Sequence, residues 1–184
     1  MIFIFCSIIL VIILVFGPQI WVRHVLKKYN TPIEQLPGTG GELAIHLIDT
    51  LGLKGVTVKN SINESNHYDP ENKIVSLTPE IYNGKSFTAI SIATHEIGHA
   101  IQHMVKYKPL MIRCQLAQYV RGAEKAASIV LIAFPIIVLV THLPAAGMMM
   151  LILGLGLLFV PVGFHLITLP VELDASFKRA LPIL

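Results

Sequence analysis

The chain opens with 22 residues that carry no charged side chain, MIFIFCSIILVIILVFGPQIWV. A membrane-crossing helix takes about 20 mostly apolar residues, so residues 1–22 predict a first span. Trp21 stands at its end, where an interfacial aromatic belongs. The segment has neither a basic leading region nor a small-x-small cleavage site, which favours an uncleaved anchor over a signal peptide. A second charge-free stretch separates Lys125 from Glu172, the histidines His142 and His165 aside. It is too long for one helix, and its middle, THLPAAG, has turn composition. It therefore predicts two spans, at about 126–140 and 148–169. Pro135 and Pro161 are expected to kink them. Gly154, Gly156 and Gly163 suit close helix packing.

Between the first span and the second stretch the periodicity changes. After Thr39-Gly40-Gly41, the run ELAIHLIDTLGL reads as a short amphipathic helix stopped at Gly52. Residues 55–59 (GVTVK) and 73–77 (KIVSL) alternate like strands and flank a polar turn, NSINESNHYDPEN, which predicts a small β-hairpin or sheet. Asn83-Gly84 marks a further turn, and Ser86 is a natural N-cap for a helix over SFTAISIATHEIGHAIQHMV. Pro109 opens an amphipathic segment that runs to Lys125. These hundred or so residues suffice for one small core.

Composition supports a membrane protein. Of 184 residues, 54% are apolar and 14% charged. A soluble domain carries about a quarter charged residues. Disorder, which needs low hydrophobicity and high charge, is excluded on the same numbers. The net charge of +3 comes from scattered basic residues, so no nucleic-acid partner is expected. The basic residues do orient the chain. Arg23, Lys27 and Lys28 follow the first span, Arg113, Arg121 and Lys125 precede the second, and Lys178 and Arg179 follow the third. By the positive-inside rule, residues 23–125 and the C-terminal tail lie in the cytoplasm and the hairpin tip lies outside. Cys6 and Cys114 sit in unlike surroundings with no CxxC, so no disulfide framework is expected.

The chemistry lies in His95-Glu96-Ile97-Gly98-His99, an HExxH on a predicted helix. Residues i and i+4 share a helix face, so both imidazoles can reach one metal ion. Glu96 is then placed to act as general base on a water at the metal. A third ligand is needed. The metzincin pattern would put a histidine where Val105 stands. His103 extends the row to HExxHxxxH, but three histidines at i, i+4 and i+8 span about 12 Å of helix rise, too much for one small ion. Glu172, the first charge after the third span, is the better choice. Two spans separate it from His99, so both return to the same membrane face. A carboxylate leaving lipid needs water, a cation or a metal.

The stretch SLTPEIYNGKSFTAISIATHEIGHAIQH, followed by YKPLMIR and later by TLPVELDASFKRALPIL, resembles the membrane-anchored neutral zinc metallopeptidases, bacterial membrane proteases akin to the membrane gluzincins. The resemblance covers nearly the whole chain. It implies Zn2+ held by His95, His99 and Glu172, with Glu96 as catalytic base. Related gluzincins place an Asp four residues after the ligand Glu. Here that position is Ser176, with Asp174 nearby, which leaves the residue orienting the ligands open. The family continues past this point, so the chain, ending at Leu184 inside a predicted helix, is expected to be truncated.

The expected fold is thus mainly α and integral to the membrane. A zincin-like α+β region carries a small β-hairpin or sheet and the HExxH helix, and there are three transmembrane helices. The expected division is an anchor at 1–22, a cytoplasmic catalytic region at 23–125, a transmembrane hairpin at 126–171, and the start of a helix with the third ligand at 172–184. The expected function is a zinc-dependent endopeptidase of the bacterial inner membrane, cleaving membrane-associated or misfolded proteins. Its rivals are a non-catalytic zinc-binding scaffold and a zinc hydrolase of a non-peptide amide. Tyr82, Arg113, His103 and Arg179 are candidates for stabilising the oxyanion. The strand at 73–77 is a candidate for pairing with an extended substrate, against the plainer reading of an ordinary edge strand. His165 is read as bonded within the helix bundle, His46 as a packed helix residue, and His24 as interfacial. Oligomeric state is not legible.

Overall fold

A computed structural model describes residues 2–62 and 65–184. The chain forms two compact units, one of residues 1–100 with 179–184, the other of residues 101–178.

The first unit begins with α1 (Ile2–Lys28). This helix covers the predicted first span; some of its side chains, Cys6 among them, lie outside those described. α2 (Gly40–Thr50) starts with a capping box. Thr39 Oγ1 accepts from Glu42 N at 3.2 Å, and the Glu42 carboxylate accepts from Thr39 N at 2.8 Å. Two orphan donors of the first turn are thereby satisfied. The helix ends where predicted, with Gly52 at φ +62, a conformation that suits glycine.

The sheet corrects the predicted hairpin. β1 (Thr57–Asn60) and β3 (Ile74–Leu77) are neighbours but run parallel, Thr57 opposite Ile74 and Asn60 opposite Leu77. A third strand, β2 (His67–Asp69), lies inside the segment read as a polar turn and pairs antiparallel with β3, His67 opposite Ser76. The hairpin is therefore β2–β3, in a sheet of order β1-β3-β2. The reason is local. Asp69 accepts from Glu71 N at 2.9 Å, Asn72 N at 3.2 Å and Asn72 Nδ2 at 2.7 Å, and Lys73 adopts a positive φ of 55°. That is a tight Asx-type turn. The Asn72 side-chain bond, ahead of the backbone bonds, holds the Asp69 carboxyl below its ordinary pKa. β3 is the central strand and has both edges taken, so the strand at 73–77 is neither an edge strand nor free to pair with a substrate.

After β3 come the short α3 (Pro79–Tyr82) and the long α4 (Phe87–Met104). Ser86 caps α4 as predicted, its Oγ accepting from Ala89 N at 3.0 Å. Val75, Leu77, Ala89, Ala93 and Ile97 are wholly buried and make the centre of this unit's core.

The second unit takes the last turn of α4 and a helical hairpin. α5 (Lys108–Thr141) and α6 (Pro144–Leu173) meet at a turn where His142 adopts a left-handed φ of 52°. The amphipathic segment from Pro109 and the predicted second span are one continuous helix, since nothing between them breaks the helical pattern. The two membrane-crossing candidates among the described residues are Lys108–Val140 and Ala145–Ile183. Both exceed the roughly 20 residues that cross a bilayer. α6 passes through a π-helical segment (Asp174–Ala180) into α7 (Leu181–Ile183). The hairpin keeps one antiparallel register along its length. A Cβ on Gly154 would lie 2.7 Å from Leu131 Cδ2, Gly147 meets Val138, and Arg113 pairs with Glu172.

Candidate metal centre

The start of α4 is fixed before the motif begins. Ser86 Oγ donates to Asn30 Oδ1 at 2.8 Å, and the Asn30 amide donates to the Glu80 carboxylate. Thr88 Oγ1 donates to Leu26 O at 2.7 Å, and Thr88 N donates to Tyr29 O at 3.2 Å. The core-facing stripe of α4 is built of small residues, Ala89, Ala93 and Ala100, with Ile97 among them, all fully buried. Small side chains on that face let the helix pack closely. Register on the helix then puts His95 and His99 side by side, one turn apart. Their rings stand edge to face, 4.7 Å between centroids and 81° between planes. Glu96 and His99 are each 7% exposed and His95 is half-buried.

Glu172 sits on the last turn of α6. Its Oε1 accepts from Arg113 Nη1 at 2.7 Å, in an ion pair whose two side chains are 32% and 36% exposed. This places Arg113, one of the oxyanion candidates, on the carboxylate. Another candidate, Tyr82, lies against the first turn of α2, where a Cβ on Gly41 would be 2.8 Å from its ring. That is a packing position. His103 and Arg179 also have interactions of their own.

Among the described residues, His95, His99 and Glu172 are the group whose donor atoms, one from each side chain, lie within 4.8 Å of one another. His103 is not part of it. Two imidazole nitrogens and one carboxylate oxygen are a donor set suited to zinc. Catalytic zinc sites combine three such ligands with one open position. The residues therefore fit the ion that the motif implies.

One polar residue next to this group went unnoticed in the sequence. Gln102, on the last turn of α4, is fully buried. Its Nε2 donates to Val171 O at 2.9 Å and to Asp174 Oδ2 at 2.8 Å. Asp174 itself is 5% exposed. The acid bonded here is thus two residues after Glu172. The signal in the sequence was a glutamine three positions after His99 and seven after His95, on the helix face that carries the motif.

Residues 3–184 match the family described as "Putative neutral zinc metallopeptidase", and the chain belongs to this family of zinc peptidases. Over 164 residues it is 35% identical to the "Putative membrane protease YugP" of Bacillus subtilis (strain 168), an alignment covering 89% of this chain and 69% of that relative. No solved structure matches the chain. Zinc is accordingly the metal that goes with this fold and this donor set.

Proposed function

We propose that the protein is a membrane-embedded zinc endopeptidase of the gluzincin type, in which His95, His99 and Glu172 hold the metal and Glu96 is the catalytic base. The observation that carries this reading is the close grouping of those three donors, with a buried glutamate directly after the first histidine. Zinc bound there supplies a Lewis acid that polarises the scissile carbonyl and lowers the pKa of water. Glu96 accepts a proton at its carboxylate from the attacking water and delivers it to the amide nitrogen that leaves. The low exposure of Glu96 excludes bulk water, which strengthens its interactions with charge developing nearby.

Membrane-associated proteins are the substrate class this reading favours. On α5 the charges end at Lys125, twelve residues from Arg113, or about 18 Å of helix rise. On α6 the apolar surface continues to Leu169, with Val162, Leu166 and Leu169 all more than half exposed. An apolar flank thus runs along the second unit up to the residue that would hold the metal. In this proposal the chain crosses the bacterial inner membrane three times, through α1, α5 and α6. The catalytic region is cytoplasmic, as the distribution of Lys and Arg implies.

The test is cleavage of casein by the full chain, purified in detergent and loaded with zinc. Glu96→Gln carrying the same zinc is the control. The parent should cleave, and the variant should lose about 10²–10⁴-fold of the rate, the usual share of general-base catalysis. Equal rates in the two proteins, or zinc-loaded parent that leaves casein intact, would overturn the reading.

A further inference from the structure

We infer that Gln102 is a positioning residue for the proposed zinc site: its side-chain amide fixes the peptide that carries Glu172. The inference rests on the reading of Glu172 as a ligand and adds to it a residue outside the HExxH motif.

The geometry is specific. The two N–H groups of Gln102 are both used, one on Val171 O and one on Asp174 Oδ2. Val171 O belongs to the same peptide unit as the N–H of Glu172, so the first bond sets the plane of the backbone leading into the proposed ligand. Asp174 is two residues on, so the second bond holds the other flank. Glu172 is thereby bracketed. Gln102 stands on α4 three residues after His99, on a helix whose residues are rigidly spaced. A bond from this side chain to residues 171 and 174 therefore ties the ligand-bearing turn to the helix that carries both histidines.

Burial makes the tie matter. Gln102 and Val171 are fully buried, and Asp174 nearly so. A carbonyl and a carboxylate in such a place are costly without donors. Losing the amide would take one donor from each: Val171 O would keep the bond from Asp174 N, while the buried carboxylate would be one hydrogen bond short and the hold on the turn would loosen. The turn is already one that departs from regular α-helix, because the π-helical segment begins at Asp174. Such segments often mark functional sites. Polar groups that orient metal ligands typically change metal affinity or activity by about 10–100-fold when removed.

The test uses full-length protein in detergent and three variants, Gln102→Met, Gln102→Glu and Gln102→Glu combined with Asp174→Asn. Zinc affinity is read by competition with a chromophoric chelator. Ligand geometry is read from the visible absorption of the cobalt(II)-loaded protein. Gln102→Met keeps the shape and removes both donors. Gln102→Glu sets two carboxylates together. Each should weaken zinc binding about 10–100-fold and alter the cobalt spectrum, with kcat falling more than KM rises. The double variant restores the side-chain amide-to-carboxylate bond with the roles reversed but not the bond to Val171 O, since a carboxylate has no N–H to give, and should recover only part of the affinity and of the parent spectrum. If Gln102→Met fails to fold, the Glu and double variants decide alone. Folded Gln102 variants with parental zinc affinity and cobalt spectrum would overturn the inference. A fourth variant, Glu172→Gln, separates the two layers. If it leaves zinc affinity unchanged, Glu172 is not a ligand, and the proposed site falls together with this inference. If it weakens zinc while Gln102→Glu does not, only the positioning role falls.

Discussion

In the unit of residues 1–100 and 179–184, turn after turn is fixed by a side chain. Thr39 and Glu42 cap α2, Ser86 caps α4, Asp69 holds the β2–β3 turn, and Asn66 Oδ1 accepts from Thr78 N at 2.7 Å. In the unit of residues 101–178 the long helices are held mainly by apolar contact, and the side-chain ties gather around residues 171–174. On the proposed reading, in which the hairpin lies in the bilayer, the difference reflects the solvent. Where water competes for every backbone group, caps and turn residues decide the conformation. In a bilayer, helices form whatever their side chains, because the backbone has no other partner. Such helices set their register by side chains seated on small residues, here Leu131 on Gly154 and Val138 on Gly147, and the polar cluster at the end of the hairpin adds to it.

Two glycines give this comparison its largest test. A Cβ on Gly40 would lie 2.5 Å from Ile81 O and 2.9 Å from Ala89 O, both backbone atoms. Backbone cannot step aside without moving α3 or α4. Gly40→Ala should therefore cost about 3 kcal/mol, the upper range for forced overpacking. A Cβ on Gly154 would meet the Leu131 side chain instead, Cδ2 at 2.7 Å and Cγ at 2.9 Å. That side chain can turn, and alanine is also the better helix former. Gly154→Ala should cost about 1 kcal/mol or less. Thermal unfolding in detergent reads both. Equal losses would mean that the hairpin is packed as rigidly as the capped unit.

Arg113 sharpens the comparison at the polar end of the hairpin. Its ion pair with Glu172 is about a third exposed on each side. An exposed pair contributes little stability, about 0–1 kcal/mol. On the proposed reading it has another task, holding one carboxylate oxygen so that the other faces the metal. Arg113→Met should leave the melting temperature nearly unchanged and lower kcat/KM about tenfold or more. A parental kcat/KM would reduce the pair to an incidental surface contact.

How much of this was legible beforehand differs between the same two regions. The two long apolar helices of the hairpin and their turn follow from charge-free length alone. HExxH needed only the helical repeat. Ser86 and Gly52 were legible because capping chemistry is local. The sheet was misread because strand direction is not local. Residues 57–60 and 74–77 show the same alternation whether they pair parallel or antiparallel, and β2 is three residues of mixed polarity, HYD, inside a polar run. Gln102 was overlooked for a related reason. Its partners lie 69 and 72 positions away, so nothing beside it in the chain signals that it is bonded.

Two threonines make the smallest test, and the signs should be opposite. Thr39 Oγ1 accepts from Glu42 N in the capping box of α2. Thr39→Ala leaves that donor to water and should cost about 1 kcal/mol, the usual value of an N-cap. Thr168 stands one helical turn before Glu172, and its Oγ1 is buried without a hydrogen-bond partner among the described residues. A buried hydroxyl with no partner carries a desolvation penalty of about 1–3 kcal/mol. Replacing it by a methyl of nearly the same shape removes that penalty and loses no bond. Thr168→Val should therefore raise the unfolding temperature, by an amount equivalent to about 1 kcal/mol. It should leave zinc affinity and casein cleavage as they are. Destabilisation by Thr168→Val would show that the hydroxyl has a partner in the working protein. If cleavage alone were lost, that partner would belong to the reaction, and the hairpin would contribute more to the active site than Glu172.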